Sequence, residues 1–76
     1  MTKVIYKRLR AAWGYAYVDQ NKIEIYKGLK GIKHLEILIH EKLHLLFPDH
    51  EEKAIVRMAK ELSKLLWRDG YRKVKG

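Results

Sequence analysis

Pro48 constrains the fold of this chain more than any other residue. It divides two stretches of helical periodicity, and proline cannot continue a helix because its ring clashes with the preceding turn and its nitrogen carries no hydrogen. Before it, residues 32–47 place Leu35, Leu38, Ile39, Lys42, Leu45 and Leu46 on one broad, mostly apolar stripe, with Ile37, His40, Glu41 and His44 on a neighbouring stripe. A helix that is apolar nearly all round belongs in the middle of a fold, covered on two sides. After the proline, from about 50 to 68, Ile55, Met58, Ala59, Leu62, Leu65 and Leu66 recur at spacings of three and four and predict an amphipathic helix. Asp49 is its expected N-cap, and Gly70 is expected to close its far end. A connection this short predicts antiparallel packing, which brings the start of the second helix close to His44.

Upstream, Trp13-Gly14-Tyr15-Ala16-Tyr17-Val18 has the aromatic and β-branched content of a strand. Asp19-Gln20-Asn21-Lys22 is a polar turn, and Ile23-Glu24-Ile25-Tyr26 alternates as a half-buried strand does. Residues 13–26 therefore predict a β-hairpin. Residues 1–12 mix Val4, Ile5 and Leu9 with basic side chains and suggest a short helix or an irregular arm. The expected architecture is α+β: a β-hairpin packed on an antiparallel two-helix hairpin, forming a single domain over residues 1–76 that ends in a basic tail at 69–76.

A domain of 76 residues buries a limited fraction of its surface and usually needs a staple. Cysteine is absent, which excludes disulfides and every thiolate metal site and leaves imidazole and carboxylate as ligands. A metal, oligomerisation or efficient helix packing must then do the work. The 47% hydrophobic content is too high for a disordered chain, and no apolar run approaches a membrane span. The basic N-terminus lacks the apolar core of a signal peptide, so the expected compartment is the cytoplasm, or the host cytoplasm if the gene is viral. The net charge of +8, from 17 Lys and Arg against 9 Asp and Glu, is concentrated at the ends: Lys3, Lys7, Arg8 and Arg10, then Arg68, Arg72, Lys73 and Lys75. Such a surface serves solubility and attracts nucleic acid or acidic partners without specificity.

Within the first helix lies His40-Glu41-Lys42-Leu43-His44, an HExxH pattern. Helical spacing puts His40 and His44 one turn apart on one face, where two imidazoles can bind one zinc ion with Glu41 beside it. A catalytic zinc takes three protein ligands, so a third is needed, and the candidates crowd into the next few residues. Glu52 ranks first because it precedes Ile55 and Ala59 on the core-facing stripe of the second helix. Glu51 ranks second and borders the same stripe. His50 ranks third: its spacing matches metzincins, but Phe47 stands where that pattern has a turn-forming glycine. Capping competes with ligation at Glu52, since Asp49 and Glu52 have the spacing of a capping box. Glu36, one turn before His40, is either a partner of that histidine or an exposed charge, and His34 is expected at the surface.

The run Leu35-Glu36-Ile37-Leu38-Ile39-His40-Glu41-Lys42-Leu43-His44, followed by Phe47-Pro48-Asp49, Glu52, Ala59-Lys60-Glu61-Leu62 and Leu66-Trp67-Arg68-Asp69-Gly70-Tyr71-Arg72, resembles small HExxH proteins encoded by phages and prophages. The resemblance covers about residues 35–72. The helix–loop–helix also resembles a trimmed gluzincin, the zincin class whose third ligand is a Glu on a later helix. This resemblance implies a Zn2+-dependent metallopeptidase with His40, His44 and Glu52 as ligands. Glu41 is then the general base that activates a zinc-bound water to hydrolyse a peptide bond. It also implies that residues 23–26 form an edge strand able to pair with an extended peptide, the substrate being a peptide or protein. Tyr26, Tyr71 and Arg72 are the candidate donors to an oxyanion. Two other readings stand beside it: a non-catalytic zinc-stabilised binding module, and a basic nucleic-acid- or partner-binding module in which the motif is coincidental.

Overall fold

The computed structural model describes residues 1–74; Lys75 and Gly76, the end of the expected basic tail, lie outside the described residues. The fold is α+β, with a three-stranded mixed sheet and two helices. In chain order the elements are β1 (Lys3–Lys7), β2 (Gly14–Tyr17), a short 3-10 turn (Val18–Gln20), β3 (Lys22–Tyr26), α1 (Gly31–Leu46) and α2 (Glu52–Arg68). Strands β2 and β3 form the expected antiparallel hairpin, with Tyr15 opposite Glu24 and Ala16 opposite Ile23. Its turn closes at Asn21, whose φ of 47° is the left-handed conformation that asparagine tolerates better than most residues.

Two expectations for the first 26 residues need correction. Residues 3–7 are neither helix nor irregular arm: they form β1, which pairs in parallel with β3 from Lys3–Lys22 to Lys7–Tyr26. The sheet order β1-β3-β2 then makes β3 the central strand. Both of its edges are already hydrogen-bonded, so residues 23–26 cannot accept an added peptide. The free edges belong to β1 and β2. Central placement also explains why all three middle residues of β3 are buried. Ile23 and Ile25 face the helices. Glu24 faces the opposite way, accepting a 2.9 Å hydrogen bond from the Tyr17 hydroxyl and lying between the Lys7 and Lys22 ammonium groups at 3.6 and 4.0 Å.

Helix α1 is the middle layer. Ile37 joins Ile23 and Ile25 on the sheet side, with Leu29, Leu38 and Leu45 packed around them. On the other side Leu43 joins Ile55 and Ala59 of α2, flanked by Ile39 and Met58. Each isoleucine buried here contributes about 1.5–3 kcal/mol of transfer free energy, which makes these two small clusters the main source of stability. The helix ends at Leu46. Phe47, the residue before Pro48, leaves helical geometry at φ −131° and ψ 68°.

Helix α2 starts at Glu52, two residues later than expected, and its N-cap is Glu51 without a side-chain capping bond. Asp49 lies in the preceding turn, so the predicted Asp49–Glu52 capping box does not form. The helix ends as expected. Gly70 adopts φ +92°, its N–H donates to the Trp67 carbonyl at 3.1 Å, and the Tyr71 N–H donates to the Leu66 carbonyl at 3.0 Å. This pair of bonds is a Schellman motif, whose left-handed residue favours glycine. The buried face of α2 is narrower than its apolar stripe. Ile55, Ala59 and Ser63 are buried, while Leu62 and Leu65 remain 41% and 58% exposed. Only α1 covers α2 extensively, and the small side chains of Ala59 and Ser63 let the two helices approach along that line. Their ends confirm antiparallel packing: Glu52 at the start of α2 meets His44 near the end of α1, and Trp67 near the end of α2 lies against Gly31 at the start of α1. Among the described residues no helix is long and apolar enough to cross a membrane.

Candidate metal centre

The close of α1 and the opening of α2 converge on one point. His40 and His44 project from the same face of α1 with their Nε2 atoms 3.2 Å apart and their rings edge to face. The intervening residues 47–51 are just long enough to reverse the chain, and they set Glu52 across from both imidazoles. Its Oε1 lies 2.7 Å from His40 Nε2 and its Oε2 lies 2.8 Å from His44 Nε2. Among the described residues these three are the one group of histidine and carboxylate side chains whose ligand atoms cluster closely enough to hold a metal ion, all within 4.8 Å of one another.

The arrangement can be tested against the needs of a four-coordinate ion. Metal–ligand bonds of ~2.0–2.1 Å place neighbouring ligand atoms of a tetrahedron about 3.3 Å apart. The two Nε2 atoms already match that edge. The carboxylate distances are those of direct hydrogen bonds, shorter than the edge, and Glu52 has the freedom to withdraw because its side chain is 63% exposed. The histidines are the fixed partners, at 15% and 24% side-chain exposure. Two nitrogens and one carboxylate, with no sulfur, form a donor set that could hold a divalent metal ion.

Glu41 lies on the sheet side of the cluster and is only 8% exposed. Burial pushes its carboxyl above the usual range, and the nearby Glu52 acts the same way, while His40 and His44 pull it back down. Gly14 of β2 makes this position possible. A Cβ on residue 14 would sit 3.0 Å from Glu41 Cγ, 3.2 Å from Glu41 Oε2 and 3.0 Å from the Glu24 carbonyl oxygen. Any side chain there would press on the carboxylate or on the backbone of β3.

A cleft of about 320 Å³ opens over the cluster. One wall is His40, Glu41, His44 and Glu52; the other is Gly14, Tyr15, Ala16 and Val18, with Pro48 at the end. Sequence reasoning named the first wall and missed the second. The signal that points to it is Gly14 inside a strand-like run, since a strand glycine often marks close approach by another group. The edge strand beside the cleft is thus β2, not residues 23–26.

The remaining candidates lie elsewhere. His50 is exposed in the turn with its ring against Phe47, and Glu51 is the residue before α2; neither joins the cluster. Glu36 pairs with Lys33 at 3.9 Å rather than supporting His40. His34 is not a free surface residue: it is half-buried, with its Nε2 2.9 Å from the Tyr6 hydroxyl. Tyr26 packs on Trp13, and Tyr71 and Arg72 line a separate groove, so none of these three borders the cleft. Compared with known proteins, the chain matches no family model, no curated protein and no solved structure.

Proposed function

We propose that this chain is a minimal zinc-dependent metallopeptidase-like hydrolase of gluzincin type, with His40, His44 and Glu52 as ligands and Glu41 as general base. The observation that carries the reading is the convergence of two Nε2 atoms and one carboxylate from separate helices on one point, with a second, buried carboxylate beside it. A zinc ion held there supplies Lewis acidity toward water and a peptide carbonyl. Glu41, buried beside the cluster, would take the proton of the attacking water and return it to the leaving amine. The free edge of β2 offers backbone N–H and C=O groups to an extended peptide, and the lack of a side chain at Gly14 lets β2 itself lie close against Glu41.

Metal content of the purified protein by mass spectrometry tests the ligand set. The expected result is one zinc per chain in the wild type and loss of zinc in Glu52→Ala. Zinc at about 100 times its Kd stabilises the fold by about 2.7 kcal/mol, a rise of roughly 10–20 °C in melting temperature for a domain of this size. A wild type that binds no metal after incubation with zinc refutes the reading. A fluorogenic peptide library then separates function from structure, with Glu41→Gln expected to keep zinc and lose cleavage. The small cleft favours a second reading, a non-catalytic zinc-stabilised module, because about 320 Å³ is near the lower end of ordinary ligand sites. That reading expects zinc-dependent melting with no cleavage of any peptide.

A further inference from the structure

A second concavity, at the opposite end of α1, shares no residue with the cleft over the metal cluster. It is a groove of about 980 Å³ between the start of α1, the end of α2 and the segment after Gly70. Three aromatic rings line it: Tyr6, Trp67 and Tyr71. Four cations line it as well: Lys27, Lys30, Arg72 and Lys73. No acidic side chain lines it, and none of the four cations has an acidic partner among the described residues.

From this combination the geometry points to a binding groove for single-stranded nucleic acid. Four unpaired cations around one groove repel one another, and a phosphate backbone relieves that repulsion while releasing its own counterions. Cations alone would serve a duplex equally well; the aromatic rings decide for a single strand, whose unstacked bases have faces to offer. Tyr71 is 60% exposed, a ring available for stacking. Arg72 is pre-set beside it. Its Nη1 donates to the Trp67 and Tyr71 carbonyls at 2.8 and 2.9 Å, and its guanidinium carbon lies 3.5 Å from the centre of the Trp67 ring, which holds the cation in place at the groove. Lys73 sits over the Tyr6 ring at 3.9 Å, so charge and aromatic surface are interleaved along the groove. Burial, and after it the Lys73 charge, hold the pKa of His34 below its ordinary value.

Fluorescence anisotropy of a labelled oligothymidylate of about 12 nucleotides, within the ~4–16 spanned by single-strand-binding folds, tests this on the full-length protein. Binding is expected to weaken with salt and to exceed that of a duplex of the same length. Tyr71→Ala should weaken it at least about fivefold through loss of stacking. Lys27→Gln and Lys30→Gln, at exposed positions, should each make the salt slope shallower by about 0.7. Zinc content and melting temperature should remain those of the wild type in all three variants, because the metal cluster is at the other end of α1. Equal affinity for duplex or for heparin overturns the proposal, as does undiminished binding by Tyr71→Ala. Binding to anionic lipid vesicles without binding to the oligonucleotide also overturns it.

Discussion

Replacing Gly14 by alanine tests the idea that the approach of β2 to α1 sets the position of Glu41. The added methyl carbon meets the Glu24 carbonyl oxygen at 3.0 Å and Glu41 Cγ at 3.0 Å, closer than ordinary van der Waals contact. The carbonyl belongs to the central strand and cannot yield without disturbing the Gly14–Ile25 pairing, so the Glu41 side chain gives way instead. Inserting one carbon into a packed site costs about 1–3 kcal/mol. Restricting the unfolded chain returns about 0.4–1 kcal/mol, because Gly14 does not require a positive φ. The net cost of about 0–2.6 kcal/mol corresponds to a fall of up to about 20 °C in melting temperature at roughly 4–8 °C per kcal/mol. Circular dichroism melts with and without zinc measure it, and metal analysis should show zinc retained, since no ligand is touched. The contribution of Glu41 appears in a double-mutant cycle: in a Glu41→Ala background the same glycine substitution should cost measurably less, because two of the three short contacts are gone. A cost that is the same in both backgrounds would refute the steric argument.

Other positions make separate predictions. Glu41→Gln should raise the melting temperature of the chelated protein at neutral pH, because it removes a carboxylate whose ionised form is penalised by burial; a lower melting temperature would mean that Glu41 is needed for packing. Gly70→Ala should lower stability by about 1 kcal/mol, read in the same melts, since alanine is strained at φ +92°. The lowered pKa of His34, caused first by burial and then by the Lys73 charge, means that the unfolded chain binds its proton more readily than the folded one. Its contribution is present above the unfolded value of 6.5 and is lost as pH falls through the folded value. His34→Gln should therefore flatten the decline in stability just below pH 6.5, measured by urea titration of the chelated protein at several pH values.

Much of the site was legible because its elements are local in sequence. His40, Glu41 and His44 occupy one turn and a half of a helix whose apolar pattern is unambiguous, and Pro48 fixes where that helix must stop. A short connection then leaves few places for the next helix to begin, so Glu52 could be ranked first before its contacts were visible. What misled was equally local: Asp49 and Glu52 have capping-box spacing, but the turn holds Asp49 away from the helix start and the Glu52 carboxylate faces the imidazoles instead.

The amino-acid sequence by itself determined the two helices, the antiparallel hairpin and the spacing of the histidines, because each depends on residues within a few positions of one another. Only the tertiary structure decided that residues 3–7 add a parallel strand, since parallel pairing joins segments with no turn between them to announce it. That one pairing turned β3 from an edge into the centre and left β2 to border the cleft. The tertiary structure likewise drew Tyr6, Lys27, Trp67 and Tyr71 to one groove from distant parts of the chain. Packing against α1 brings them together, and no periodicity in the sequence records a contact across that distance.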